Sequence, residues 1–414
     1  MHHVTLKLYY FIAFSDLSQQ HVISAVENML VFCKAKYVLL LVVTLVFKKI
    51  LCICEDSHIV ICDDITDIKD NETTPWLHVQ IGSLEKRVES PNHVLNRSLF
   101  FTLSRTRFLT IINQLRLISR LPEHRHLRYL NFYGNNILEI SDNTFSRMYL
   151  LKEAYLKNNN IQHLGREIFQ NLTLDVVDLS RNRIQSIRSG FYNTKIKWLL
   201  LNHNKINYIG FEPFPPSLQQ LELNDNLLET IEHEYFRNLR SLKELYLENN
   251  RLTTISNILD LKNIQFLHFA YNNIQEVHFR FDQLPKLEFL DLGFNSIHNV
   301  TTDVFSAVKS APIVVLSFNK LSNMVFEHPE RKTDLVLFGN PWICECWFKI
   351  EKIISKHHHQ QTCDFKIFDK GQIPLCIEGG QCSGTLVVAR NDIDNYLKVV
   401  GVVQDDVKRC NFRL

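Results

Sequence analysis

The chain is 414 residues long, 45% apolar and 22% charged, with a formal net charge of +2. That length allows two or three ordinary domains or one elongated array, and the apolar share can fill a sizeable core. The near-neutral balance gives no reason to expect nucleic acid or an acidic lipid surface as the main partner, and only 12 Gly and 11 Pro exclude a collagenous or low-complexity architecture.

Residues 1–28 read as an N-terminal extension, either an upstream addition or a stretch preceding a working initiator at Met29. From Met29 the chain runs MLVFCKAKYVLLLVVTLVFKKILCIC, with Lys34 and Lys36 ahead of the apolar run Tyr37–Phe47. That is the layout of a signal peptide, here residues 29–53. The rival is a signal anchor, but a run stopped by Lys48 and Lys49 is too short to cross ~30 Å of hydrocarbon as a helix. The expectation is a secreted, extracellular product.

Cysteine placement agrees with an oxidising compartment. Cys33, Cys52, Cys54 and Cys62 lie early, Cys344, Cys346, Cys363, Cys376, Cys382 and Cys410 lie late, and none falls between. Clusters at both ends of a cysteine-free middle suggest staples on something long. Residues 54–95 are expected to form an N-terminal cap, opening with CEDSHIVIC as a hairpin closed by Cys54 and Cys62.

Residues 96–338 carry a repeat, irregular at first in SLFFTLSRTRFL and LRLISRLP and regular from Leu127. LRYLNFYGNNI, LKEAYLKNNNI, LKELYLENNRL and LEFLDLGFNSI share the frame L-x-x-L-x-L-x-x-N-x-L. Its asparagine recurs at Asn135, Asn159, Asn182, Asn204, Asn226, Asn250, Asn272, Asn295, Asn319 and Asn340, at spacings of 21 to 24. This is the leucine-rich-repeat pattern. Each repeat supplies a short strand whose two leucines point inward while the residue between them points out, because side chains alternate. The asparagine follows the strand, where its amide can bond backbone groups that the turn leaves unpaired. Phe145, Phe169, Phe191, Phe236 and Phe305 sit deeper in their repeats.

The same register gives the residues of the open face. Tyr129, Tyr133, Tyr155, Trp198, Tyr246, Phe266 and Phe289 put aromatics there, and Glu222, Glu244, Glu248, Asp225 and Asp291 make its centre acidic. Aromatics on a wet sheet are the usual anchors of protein interfaces, and the acids favour a basic protein surface. The alternative is cross-strand packing without a partner. Sequons occur at Asn71, Asn96, Asn171 and Asn299, none of them in a strand of the open face.

The last half-repeat runs into GNPWICECWF, which opens a cysteine-rich cap over residues 339–382. A metal site is the rival reading, given His357, His358 and His359 nearby, but zinc favours separated pairs such as C-x2-C, so no metal and no cofactor are expected. The N-P-W-x-C-x-C opening resembles the C-terminal cap of extracellular leucine-rich-repeat proteins. The resemblance implies that Cys344 pairs with Cys363 and Cys346 with Cys376 or Cys382, and that Trp342 and Trp347 cover the end of the core. Cys410, in the tail 383–414, then pairs within the chain or links to a second copy. The tail holds no membrane-spanning apolar run.

The expected fold is an α/β solenoid: a leucine-rich-repeat horseshoe with a parallel concave β-sheet and disulfide-capped ends. More narrowly, the chain is similar to Toll-like ectodomains and to insect, mosquito-type leucine-rich-repeat immune proteins. The resemblance implies binding, not catalysis. No phosphate-cradling Gly loop, H-E-x-x-H or G-x-S-x-G occurs. The expected function is innate immune recognition or regulation of a protein ligand through the concave face. Cell-surface adhesion or reception and enzyme inhibition are the alternatives.

Overall fold

The computed structural model describes residues 121–350 with short breaks, several short strands between 53 and 118, and residues 376–377. The chain divides into two compact units, Met1–Leu174 and Asp175–Leu414.

In the first unit the strands Ile59–Cys62, Trp76–Gln80, Phe108–Ile112, Tyr129–Asn131 and Glu153–Tyr155 pair in parallel, in sequence order. Ile53–Glu55 adds to this ladder antiparallel, with Cys54 opposite Val60. The hairpin expected at the start of the cap therefore forms, but its register sets Cys54 across from Val60 and not from Cys62. A second parallel ladder joins Val94–Leu95, Leu117–Ile118, Glu139–Ile140 and His163–Leu164. The alternation of long-ladder and short-ladder strands thus begins at Trp76, well before the regular leucine frame.

In the second unit the strands Lys195–Leu200, Gln220–Glu222, Glu244–Tyr246, Phe266–His268, Phe289–Asp291, Ile313–Val315 and Leu335–Val336 form a parallel ladder. These are about seven turns of a solenoid. The middle residues Leu199, Leu221, Leu245, Leu267 and Leu290 are in register and fully buried. Each contributes on the order of 1.5–3 kcal/mol by leaving water. Leu201, Leu223, Leu247, Phe269 and Leu292 form the next inward row. The strands are short because each repeat must turn immediately after its second inward residue.

The asparagine makes that turn possible. Asn250 Nδ2 donates to Leu247 O of its own repeat at 3.1 Å and to Leu223 O of the preceding repeat at 2.9 Å. Its Oδ1 accepts from Leu228 N at 3.0 Å. Asn204, Asn226, Asn272, Asn295 and Asn319 repeat the arrangement. Buried backbone groups left unpaired cost about 1–3 kcal/mol each, so one amide spares several such costs.

The residue just before each asparagine adopts the left-handed conformation. In the second unit these are Arg181, His203, Asp225, Asn249, Tyr271, Phe294 and Phe318, followed by Gly339. Aromatics are unusual there, because a bulky side chain at positive φ is disfavoured. Stacking offsets the strain: Tyr271 and Phe294 lie 4.3 Å apart and Phe294 and Phe318 lie 4.4 Å apart, in both cases nearly parallel. The file ends at Gly339, where a Cβ would fall 2.5 Å from the Phe318 ring.

The cap begins on Asn340, whose amide bonds Leu316 O, Leu337 O and Leu321 N like its predecessors. Trp342 is buried and donates Nε1 to Leu337 O at 3.0 Å. Trp347, also buried, lies 5.9 Å from it on the helix Cys344–Ile350. Together they cover this end of the core, as the cap resemblance implies.

The disulfide pairing differs from expectation. Cys344 bonds to Cys376, with Cα atoms 4.8 Å apart, and not to Cys363. The reason is local. Ile377 forms a parallel bridge with Ile343, its N–H donating to Trp342 O at 2.6 Å and its carbonyl accepting from Cys344 N at 3.1 Å. That bridge lays Cys376 beside Cys344. Cys346 is two residues further along the helix, which turns it to a different side; it is fully buried and also disulfide-bonded. Cys363, Cys382 and Cys410 lie outside the described residues.

Candidate protein-binding face

Two outward rows cross the sheet of the second unit. The first runs Trp198, Gln220, Glu244, Phe266, Phe289, Ile313; the second runs Leu200, Glu222, Tyr246, His268, Asp291, Val315, Val336. Their chemistry changes along the ladder. Trp198 is 49% exposed. Next come the carboxyl groups of Glu222 and Glu244, then aromatics, then aliphatic residues.

The aromatic centre is a stack. Tyr246 and His268 are 4.5 Å apart and almost parallel, and His268 and Phe289 are 5.1 Å apart and tilted. Tyr246 donates its hydroxyl to Glu244 Oε2 at 3.0 Å, and Gln220 Nε2 donates to Glu222 Oε1 at 2.9 Å. Partial burial and the neighbouring carboxylates push the Tyr246 hydroxyl well above the ordinary phenol range.

Glu248 lies beside this stack. Its Oε1 is 3.5 Å from His268 Nδ1, while its Oε2 is buried with no hydrogen-bond partner. Burial pushes the Glu248 carboxyl up to about 8, reinforced by the charges of Asp291, Asp225 and Glu222. Burial also lowers His268 to about 4. At neutral pH the contact therefore joins two uncharged groups and is not an ion pair. Asp291 is raised by burial to about 6, although its Oδ1 accepts from Gly293 N at 2.8 Å. At one edge, Asp225 accepts from Asn249 Nδ2 and lies 3.4 Å from His203 Nδ1. His203, Asp225, Asn249 and Arg251 line a shallow open depression along the repeat turns.

The first unit carries a smaller aromatic group. Tyr129 and Tyr155 are 5.3 Å apart, Tyr155 donates to Glu153 Oε2 at 2.9 Å, and Tyr133 is exposed. The structure thus brings Tyr129 and Tyr155 together in one unit. In the other it brings Glu222, Glu244, Tyr246, Phe266, Phe289 and Asp291 together.

One expected surface residue needs correction. Phe289 is buried, packed with Val315, Val336, Phe338, Phe266 and Ile313, because its neighbours on the last strands are all apolar. His268 is the central residue that sequence reasoning did not single out. Its position between Tyr246 and Phe289 was readable from the register, since a flat imidazole between two aromatics extends a stack. Of the sequons, Asn171 is exposed in a turn, and Asn299 belongs to a short outer strand paired with Glu276–Val277. Asn71 and Asn96 lie outside the described residues. Among the described residues, no helix is long and apolar enough to cross a membrane.

Residues 125–184 and 216–274 match the leucine rich repeat family model. With the repeat register and the parallel ladder, this makes the chain a leucine-rich-repeat protein. Human lumican is 29% identical over 189 residues, which are 44% of this chain and 47% of lumican. Toll-like receptor 3 of Boselaphus tragocamelus is 28% identical over 265 residues, which are 58% of this chain and 27% of the receptor. The chain therefore spans about half or less of these relatives. The solved leucine-rich repeat domain of APL1B, a mosquito protein, superposes with a TM-score of 0.56 at 17% identity, covering 84% of this chain and 98% of that one. That likeness is one of fold.

Proposed function

We propose that this is an extracellular protein-binding leucine-rich-repeat protein, acting in innate immune recognition or regulation. It captures a protein partner on the outward sheet face of its second unit. One observation carries the reading: the half-buried, stacked pair Tyr246 and His268 is flanked by Glu222 and Glu244. Rigid aromatics beside carboxyl groups suit a basic protein surface, whose Arg or Lys side chains can lie over Tyr246 and meet the carboxylates. The similarity to lumican, to a Toll-like receptor and to the APL1B fold supports an extracellular binding role over a catalytic one.

The test is affinity capture from native extracellular fluid, using the secreted chain and its Trp198→Ser/Tyr246→Ser variant. Both positions are partly exposed, so the variant should keep its melting temperature within a few degrees. Loss of a captured protein with the fold intact supports the reading. Unchanged capture moves the site off this face. Capture that responds instead to Tyr133→Ser would place it on the first unit.

A further inference from the structure

One of the four sequons sits in a setting that the repeat frame does not explain. Asn171 is exposed at φ +62°, in the turn that leads from Phe169 to the strand Thr173–Asp178. Asparagine tolerates that left-handed conformation, so the turn accounts for the residue type. It does not account for Thr173, two positions on and also exposed, which completes Asn-Leu-Thr. Asn193 is the counterpart in the following repeat. It too lies two residues after a buried Phe and has φ +53°, but Thr194 follows it directly and Lys195 comes next, so no acceptor motif forms. The repeat asparagines Asn159 and Asn182 are buried and donate to backbone carbonyls, whereas among the described residues the Asn171 amide holds no hydrogen bond.

A second observation lies in the repeat before. Tyr149 and Leu150 are 58% and 42% exposed, an apolar pair on the surface of the turn from Phe145 to Leu151. The two turns run side by side within the first unit. At their starts Phe145 and Phe169 stack at 5.1 Å and Phe145 N donates to Ile168 O at 2.9 Å; at their ends Lys152 Nζ donates to Thr173 O at 3.2 Å. Successive turns of such a ladder are roughly 5 Å apart, so Tyr149 and Leu150 border the Asn171 turn.

We propose that Asn171 carries an N-linked oligosaccharide whose first N-acetylglucosamine units lie against Tyr149 and Leu150. This rests on the extracellular reading, since the transfer takes place in the secretory pathway. In the transfer Asn171 Nδ2 bonds to C1 of the first sugar and the C1–O bond to a lipid pyrophosphate donor breaks. The lipid pyrophosphate leaves, and the amide nitrogen gives up one proton. The C–H faces of the sugars then gain by leaving water against the Tyr149 ring. Asn171 precedes the strand, so the glycan leaves the paired rings of Tyr129 and Tyr155 open and closes only this edge of the first unit to protein contact.

The full chain, expressed in secretory eukaryotic cells, would be digested with a peptide-N-glycosidase in heavy-oxygen water and mapped. Asn171 should return as heavy aspartate and Asn193 as unlabelled asparagine. A labelled chain held inside the cells and missing from the medium would support the modification while counting against an extracellular product. Bare Asn171 in either fraction would overturn the proposal. Thr173→Ala should abolish the modification and Thr173→Ser should keep it, and both retain the asparagine that the turn uses. Hydroxyl-radical labelling of Tyr149 should then be several-fold higher in Thr173→Ala than in Thr173→Ser, with labelling of the exposed Trp198 in the second unit equal in both. Equal labelling of Tyr149 would overturn the sugar contact.

Discussion

Glu248 and His268 touch at 3.5 Å without forming a salt bridge, because burial holds one carboxyl protonated and one imidazole unprotonated. Their effects on stability have opposite signs. Glu248 moves from 4.5 to about 8 on folding, so its contribution is complete below pH 4.5 and is lost as pH rises towards 8. His268 moves from 6.5 to about 4, so its contribution is present above 6.5 and is lost as pH falls towards 4. Asp291, raised from 3.8 to about 6, acts in the same sense as Glu248 over a lower range. Between pH 6.5 and 8, Glu248 therefore acts alone among the three. Stability should fall across that window, and Glu248→Gln should flatten the fall by about 1–3 kcal/mol. Urea titrations of both proteins at several pH values would show it; parallel curves would remove Glu248 from the account.

The aromatic file at the repeat turns makes a separate prediction. Phe294 is sandwiched between Tyr271 and Phe318, outside the leucine frame. Phe294→Ala should cost about 3–5 kcal/mol, as a core phenylalanine does. Phe294→Gly should recover part of that by relieving positive φ, leaving it more stable than the alanine variant. The reverse order in thermal melts would mean that φ strain is negligible there.

Gly339→Ala combines both penalties. It adds a Cβ at φ +70°, within 2.5 Å of the Phe318 ring. A loss of ~1–3 kcal/mol is expected. Hydrogen exchange should show it concentrated in the last two strands and the cap, whereas a uniform loss would argue against a local clash.

Cys344→Ser/Cys376→Ser opens a loop with a sequence separation of 32. Chain entropy alone gives about 3–4 kcal/mol for a loop of that size. Cys363→Ser should leave the Cys344–Cys376 bond intact, as peptide mapping under non-reducing conditions would report. A Cys344–Cys363 peptide in the native chain, mapped the same way, would overturn the Cys344–Cys376 pairing.

The repeat frame was legible because it rests on spacing. Leu245, Tyr246 and Leu247 could be assigned in, out and in from alternation alone, and Asn250 from its register. What spacing could not convey was tertiary. Cys376 reaches Cys344 through a bridge between Ile343 and Ile377, and no local pattern in either segment announces that contact. Phe289 shares its row with the half-exposed Phe266, and its burial follows from apolar neighbours two strands away. The early strand Trp76–Gln80 lacks the leucine frame, so only its pairing reveals it as part of the ladder.

The asparagine amides also give the array a direction. From Asn204 to Asn340 each one serves a carbonyl of its own repeat, but it also serves a carbonyl and an N–H of the repeat before it, as Asn319 does for Leu292 and Ile297. Among the described residues, these amides reach back to the repeat before and not forward to the one after. Unravelling from the C-terminal side therefore strands a carbonyl and an N–H in whatever remains, while unravelling from the other side strands the amide's own Oδ1 and leaves only its bonds within the repeat. Asn340 is the last amide of the series, and it stands where the tryptophans, the tight glycine and the disulfide converge.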